Sequence, residues 1–262
     1  MGGVDFIMKL TKLSARLQQI ADRLPADCRL ADIGSDHALL PVYAVQSGRA
    51  LYAVAGEVNE GPFEAASRQV AEAGLNSKVH VRKGDGLAVI SKGEVDTITI
   101  AGMGGALIAS ILSAGKDRLE GIRRLVLQPN VGEDIVRRWL LDHGWFLLEE
   151  SILEEDGKIY EIITAVSEPD AAALNEALYQ ERELPGGVVL TKDLLLMMGP
   201  KLTQWPTDVL ITKWESEIDK LNKIRKSVAS SHQESSREKE QHLADLSQQI
   251  KEVLTCLQKV KP

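Results

Sequence analysis

An apolar strand that runs into Asp-x-Gly constrains this chain more than any other stretch of it. Ala31-Asp32-Ile33-Gly34-Ser35-Asp36-His37-Ala38-Leu39-Leu40-Pro41 reads as the first strand and ligand-cradling turn of a doubly wound α/β domain. In such sheets the ligand sits outside the carboxyl ends of the strands, beside strand one, where a glycine lets backbone and ligand approach closely. The turn is not the dinucleotide fingerprint, because Asp36 and Leu39 stand where G-x-G-x-x-G needs glycine. A carboxylate at the position that should admit a pyrophosphate repels an anion. The turn therefore favours an adenosine-like ligand without phosphates, and the sulfonium cation S-adenosylmethionine fits it better than NAD.

Periodicity fills in the architecture. Leu13, Leu17, Ile20 and Leu24 recur at helical spacing and predict an amphipathic helix that stops at Pro25 and covers one face of the sheet. Strands are predicted at 29–33, 51–55, 79–83, 95–101, 125–128, 146–152 and 159–166, with helical patterns between the first six. The last two face each other across Glu154-Glu155-Asp156-Gly157-Lys158, a hairpin connection with Asp-Gly at its turn. Six strands joined through helices and a seventh returning by a hairpin make the Rossmann-like seven-stranded sheet of the class I methyltransferases, whose closing strand is antiparallel.

Beyond about residue 168 the pattern changes. A polar segment, 171–184, leads through Pro185-Gly186-Gly187 to an apolar stretch, 188–198, that reads as a docking segment ended by Gly199-Pro200. Ile211, Trp214, Ile218, Leu221, Arg225 and Val228 then follow at three, four, three, four and three, and Leu243, Leu246, Ile250, Val253, Leu257 and Val260 repeat the rhythm. These predict two coiled-coil helices. The polar interval 229–238 is short enough for an antiparallel hairpin within one chain, with pairing between chains as the rival arrangement. The chain thus divides into an expected cofactor-binding domain, 1–167, and a helical coiled-coil domain, 168–262.

With 262 residues, 44% of them hydrophobic, the chain suits one α/β domain plus something smaller. Phe6-Ile7-Met8 is too short for a signal or a membrane span, so a soluble cytoplasmic protein is expected. Cys28 and Cys256 form no metal-spaced pair, and neither a disulfide framework nor a metal site is expected. The net charge of −7 excludes a generally basic nucleic-acid binder, yet from Trp205 onward ten Lys or Arg meet nine Asp or Glu. Lys213, Lys220, Lys223, Arg225 and Lys226 are the candidate local basic surface, with a merely solvated helix face as the plain alternative.

The candidate site residues cluster at the predicted strand ends. Asp32 ends strand one and Glu57 follows strand two in Ala55-Gly56-Glu57, where a carboxylate's two oxygens match a ribose diol. Gly84-Asp85-Gly86 after strand three holds an aspartate able to accept from an exocyclic amine such as that of adenine. Ala101-Gly102-Met103-Gly104-Gly105 after strand four opens space for a flat ring or a reactive methyl group. Gln128-Pro129-Asn130 ends the next strand and is similar to the polar-Pro clamp of some methyltransferases, one strand late. Asp36, at the mouth of the sheet, can bond an acceptor's donor group and offset positive charge, or cap a helix beginning near Ala38. His37 is grouped with the cofactor contacts, a hydrogen-bonded spectator being its alternative.

Together these segments, with Gly74-Leu75-Asn76, Ile98-Thr99-Ile100 and Leu153-Glu154-Glu155-Asp156-Gly157-Lys158, resemble the bacterial tRNA (adenine-22-N1)-methyltransferases, the TrmK family. The resemblance is close from Leu13 to about Val166 and extends loosely to the helical region through Met198-Gly199-Pro200 and Lys213-Trp214. It implies methyl transfer from S-adenosylmethionine to N1 of an adenine in the D-arm region of tRNA. It further implies that Asp36 positions that adenine, that Asp32, Gly34, His37, Glu57, Gly84, Asp85, Gly86, Ala101, Gly102 and Met103 hold the cofactor, and that the lysine-bearing hairpin of a monomer grips tRNA. A small-molecule methyltransferase and a non-catalytic S-adenosylmethionine-binding protein are the rival readings, and an NAD-linked reductase ranks last for want of the glycine turn.

Overall fold

The structure, a computed structural model, describes residues 10–229 and 234–259, so Phe6, Ile7, Met8, Val260 and Pro262 lie outside the described residues. The chain divides into two compact units, 1–149 with 160–172, and 150–159 with 173–262. In the first, Ser14 caps helix α1 (Ala15–Asp22) by accepting from the Leu17 amide at 3.3 Å, and the helix buries Ile20 and Ala21. Strands β1 (Cys28–Ile33), β2 (Ala50–Glu57), β3 (Val79–Lys83), β4 (Thr97–Gly104), β5 (Arg124–Val131), β6 (Phe146–Glu155) and β7 (Lys158–Val166) join one sheet in the order β3-β2-β1-β4-β5-β7-β6. The first five pair in parallel, and β7 runs antiparallel to β5, as the sequence predicts for the closing strand. Leu30, Ile33, Ile98, Ile100, Leu125 and Leu127 are all buried, which is why these strands read as nearly continuous apolar runs rather than alternating ones.

Helices α2 (Leu39–Gln46), α3 (Glu60–Glu72), α4 (Gly105–Ala114) and α5 (Glu133–Asp142) connect successive strands. The expectation of a helix between every pair of the first six strands fails once. Between β3 and β4 the chain makes only a 3-10 turn, Gly86–Val89, before returning to the sheet. The hairpin between β6 and β7 turns through Asp156 at φ 51° and Gly157 at φ 70°, the two positive angles that a tight two-residue connection needs.

The second unit is more elaborate than two helices. After α6 (Ala171–Leu178), a small antiparallel pair, β8 (Arg182–Leu184) and β9 (Val188–Leu190), folds around Pro185-Gly186-Gly187, where the sequence predicts a polar segment leading into a docking segment. The short α7 (Lys192–Met198) comes next, and then α8 (Asp208–Ala229) and α9 (Glu234–Lys259) pack against each other within the chain. Their antiparallel sense is fixed by Gln258 near the end of α9, which donates to Glu215 near the start of α8 at 3.4 Å. Burial is concentrated at one end of this pair, where Leu210, Ile211, Trp214 and Ile218 of α8 and Ile250, Val253, Leu254 and Leu257 of α9 are buried, while Leu221, Val228, Leu243 and Leu246 are only half-buried. At the buried end the Cys256 thiol donates to the carbonyl of Pro185 at 3.1 Å, so the β8–β9 turn supplies a third layer. Among the described residues no helix is long and apolar enough to cross a membrane.

Candidate active site

The turn after β1 is held by backbone and carboxylates together. The amides of Gly34 and Ser35 both donate to the carbonyl of Gly56 on β2, at 2.9 and 3.2 Å, and the amide of Asp36 donates to Glu57 Oε1. Gly34 has φ +69°, a conformation that strains any other residue, and a Cβ built on it falls well inside contact distance of Met103 Cε, so the Met103 side chain would have to shift to admit one. Asp36 and Ala38 also adopt positive φ, 53° each, so three of five successive residues are left-handed.

This geometry corrects one expectation. Helix α2 starts at Leu39 with Ala38 as its N-cap and no side-chain cap bond, so Asp36 does not cap it. The Asp36 side chain is instead 76% exposed at the rim of the site, 3.7 Å from His37 Nε2. A cavity of about 330 Å³ opens there, lined by Asp32, Gly34, Asp36 and His37 on one side and by Ala101, Gly102 and Met103 on the other.

The acids around the turn differ sharply in burial. Asp32 lies beside Thr99 in the register of β1 and β4; its carboxylate accepts from Thr99 Oγ1 at 2.5 Å and from Ser35 Oγ at 2.6 Å. Burial raises its pKa in spite of these bonds and of the nearby Arg16 charge. Burial likewise raises that of Glu57, and the charges of Asp32 and Asp36 add to the rise, whereas the Asp36 amide opposes it. The site therefore concentrates negative charge in a place that resists it. An arriving cation relieves that cost, and the bare Gly34 backbone leaves it room, which is the chemistry a sulfonium ligand requires.

Gln128 turns out to build the site from behind. It is fully buried, with its Oε1 accepting from Arg16 Nη1 at 2.5 Å and from the Gly102 amide at 3.1 Å. Its Nε2 donates to the Pro129 carbonyl at 2.9 Å and to Asn130 Oδ1 at 3.1 Å, and Asn130 Nδ2 in turn donates to the Gly102 carbonyl at 2.8 Å. The β4–β5 register slips on both sides of Met103, so these amides clamp an irregularity that turns the Met103 loop toward Gly34. Gln128 and the buried Pro129 thus shape the cavity wall, and of the three only Asn130 lines the cavity.

Two lining residues escape a reading of the sequence. Arg16 of α1 reaches across 112 positions to Gln128 and lies over the Tyr160 ring, 5.3 Å from its centroid. A charged residue flanking an apolar helix stripe, and a tyrosine within a strand, carry no local signal of either role.

Other predicted residues lie apart from this cavity. Asp85 is exposed at the start of the 3-10 turn, where with Gly86 it lines a second cavity of about 500 Å³ alongside Leu107 and Ser110 of α4. Gly84 lies just before it, 2.9 Å from Val89 at the position of an added Cβ. In the second unit, Lys213, Lys220 and Lys223 share an arc of about 80° on α8 at 100° per residue, and Lys226 extends it. Arg225 does not belong to that face: it is half-buried on the stripe that carries Trp214 and Ile218.

The sequence profile of the TrmK family, tRNA (adenine(22)-N(1))-methyltransferase, matches residues 30–255. The tRNA (adenine(22)-N(1))-methyltransferase of Bacillus subtilis (strain 168) is 45% identical over 248 residues, 94% of this chain and 99% of that protein. The crystal structure of the B. subtilis m1A22 tRNA methyltransferase TrmK superposes with a TM-score of 0.83 at 44% identity, covering 93% of this chain and 99% of the other. A Streptococcus pneumoniae protein described as a putative tRNA (m1A22) methyltransferase, solved in complex with S-adenosyl-L-methionine, gives 0.76 at 38% identity, over 93% of this chain and all of the other. Since these matches run through both units, the chain belongs to the TrmK family of tRNA (adenine(22)-N(1))-methyltransferases.

Proposed function

We propose that this protein transfers a methyl group from S-adenosylmethionine to N1 of adenine 22 of tRNA. The observation that carries the reading is the arrangement of acids at the β1 turn: Asp32 and Glu57 buried where their charge is resisted, and Asp36 released from capping at the rim of the cavity. When bound, S-adenosylmethionine supplies an electrophilic methyl group on a sulfonium centre. Glu57 offers its carboxylate to a ribose diol, Asp85 offers an acceptor to an adenine amine, and Gly34, His37, Gly84, Gly86, Ala101, Gly102 and Met103 frame the remainder.

Adenine N1 has an available lone pair, so the acceptor needs alignment rather than a strong base. Asp36 provides it by accepting from the exocyclic amine, and its charge opposes the positive charge that grows on the ring. Asn130, fixed by Gln128 and the Gly102 carbonyl, presents its amide beside that position. N1 belongs to the Watson–Crick edge, so the target adenine enters unpaired or flipped. Lys213, Lys220, Lys223 and Lys226 take tRNA phosphates, which makes affinity fall steeply with salt. We assign cofactor binding to 1–167 and the tRNA grip to 168–262, with α8 and α9 forming a coiled-coil hairpin inside one chain of a monomeric cytoplasmic protein.

The test is incubation of the purified full chain with labelled S-adenosylmethionine and unmodified tRNA transcripts, followed by nucleoside mass spectrometry and primer extension. 1-Methyladenosine and a stop at position 22, both lost when that adenine is replaced by guanine, are the expected result. Cofactor binding without transfer to any tRNA overturns the reading in favour of a small-molecule acceptor.

A further inference from the structure

We infer that Trp205 is a stacking platform for an unpaired nucleotide of the RNA substrate, a contact separate from the methyl-transfer cavity. The inference rests on the tRNA substrate proposed above and adds to it a named base-binding residue. Trp205 is 74% exposed, while Trp139, Trp145 and Trp214 are buried to 6, 7 and 5%. Leaving an indole in water forfeits the burial of one of the largest apolar side chains, so its exposure needs a reason beyond composition.

Mobility does not supply that reason, because the backbone beneath the ring is fixed. The amides of Gln204 and Trp205 both donate to the Lys201 carbonyl, at 3.1 and 3.3 Å, and the Thr203 amide donates to the Gly199 carbonyl at 2.9 Å. Arg182 of β8 clamps the same turn from within, donating to the Pro200 carbonyl at 3.2 Å and to Thr203 Oγ1 at 2.9 Å. Leu202, Thr203 and Pro206 are buried on either side. The second unit therefore holds the ring out into solvent from a fixed backbone.

The helix beyond the ring decides which partner fits it. Helix α8 begins three residues later, acidic at Asp208 and then carrying Lys213, Lys220 and Lys223 along one face. At 1.5 Å per residue the three lysines lie about 10 and 5 Å apart along the axis, a spacing that suits successive or alternate phosphates of a strand. A flat aromatic leading into a line of cations is the combination that binds single-stranded nucleic acid, bases on the ring and backbone on the charges. An apolar protein partner would make no use of the lysines.

Because the other three tryptophans are buried, acrylamide reaches Trp205 alone in the intact protein. Saturating unmodified tRNA transcript is expected to dim the emission and to remove the acrylamide-accessible fraction. In Trp205→Ala that fraction is absent, the Kd and KM for tRNA rise about tenfold, as for the loss of one base stack, and kcat and the KM for S-adenosylmethionine stay as they were. Trp205→Phe recovers most of the tRNA affinity. The salt dependence of tRNA binding keeps its slope in Trp205→Ala, whereas Lys220→Ala lowers it by about 0.7 to 0.9 for each lost phosphate contact. A tRNA affinity within twofold of the parent in Trp205→Ala, or a Trp205 that saturating tRNA leaves open to acrylamide, overturns the inference and leaves a protein-docking use for the ring. Transfer to adenine 22 with Trp205 still open removes the stack alone; a shielded Trp205 without transfer removes the reaction alone.

Discussion

Two acidic groups associated with strand β2 have opposite fates. Glu94 is gripped by Arg82 through two bonds of 2.6 and 2.8 Å and by the Tyr52 hydroxyl at 2.7 Å, and its pKa is held down to about 2, chiefly by Arg82. Glu57 ends the strand that carries Tyr52, about 16 Å further along at 3.3 Å per residue, and burial beside Asp32 and Asp36 pushes its pKa up. One acid has its cation built into the fold. The other stands among like charges, with the Asp36 amide as its donor. A charge completed within the protein serves stability, and one left incomplete at a strand end marks the working site.

Substitutions can break this contrast, and the largest effect is expected at the rim. Asp36→Ala lowers kcat about 100-fold or more, the scale for losing a group aimed at developing charge, while calorimetric binding of S-adenosylmethionine stays within about threefold. Full activity in that variant removes Asp36 from catalysis.

Glu57→Gln weakens S-adenosylmethionine binding about 30-fold, within the range for a hydrogen bond to a charged group, yet leaves the melting temperature of the free protein unchanged or slightly higher. The pH dependence sharpens the point. A raised carboxyl keeps its proton at pH values where an ordinary one has lost it, so cofactor affinity is fully present above the raised value and declines as pH falls through it. The carboxyl's contribution to the stability of the free protein runs the other way, present at low pH and lost as pH rises through the same value. Titrations downward from neutral pH should show affinity falling in the parent and a flatter profile in Glu57→Gln.

On the second unit, replacing Lys213, Lys220 and Lys223 by alanine should weaken tRNA binding about tenfold or more at moderate salt and reduce the salt slope by about 2 to 3, with S-adenosylmethionine binding intact. Replacing Arg225 alone should instead lower the melting temperature, because it sits on the packed stripe. Smallest is Arg82→Met, which removes about 1–2 kcal/mol of stability at neutral pH and leaves methyl transfer in place. Glu94 with its depressed pKa contributes stability above the ordinary carboxylate range that is lost as pH falls toward about 2, so urea melts at pH 7 and pH 3 should differ less in the variant than in the parent.

The acids at the strand ends were legible from the chain because the fold announces strand ends through local pattern. Asp32 and Glu57 lie at the ends of apolar strands and near glycine, Asp85 sits between two glycines just after β3, and β3 begins and ends at the residues the sequence predicts. The helix expected between β3 and β4 is replaced by the single 3-10 turn Gly86–Val89, and Gly93 at φ 73° bends the polar residues that lead from it into β4. The β8–β9 pair was hidden because strands of three residues leave almost no periodicity to read.

What the sequence determined by itself was local: where the backbone extends, where it must turn through a glycine, and which acids end up at the strand ends. Only the tertiary structure decided which polar groups are already committed. Gln128 and Asn130 are chemically alike and two residues apart, yet one is fully buried behind the wall and the other lines the cavity. Arg16 enters the site through a partner 112 residues away. Asp36 does not cap α2 because Ala38, left-handed in the folded turn, is its N-cap. Periodicity records how each residue sits relative to its neighbours in the chain, whereas hydrogen-bond commitment depends on groups that become neighbours only when the sheet closes.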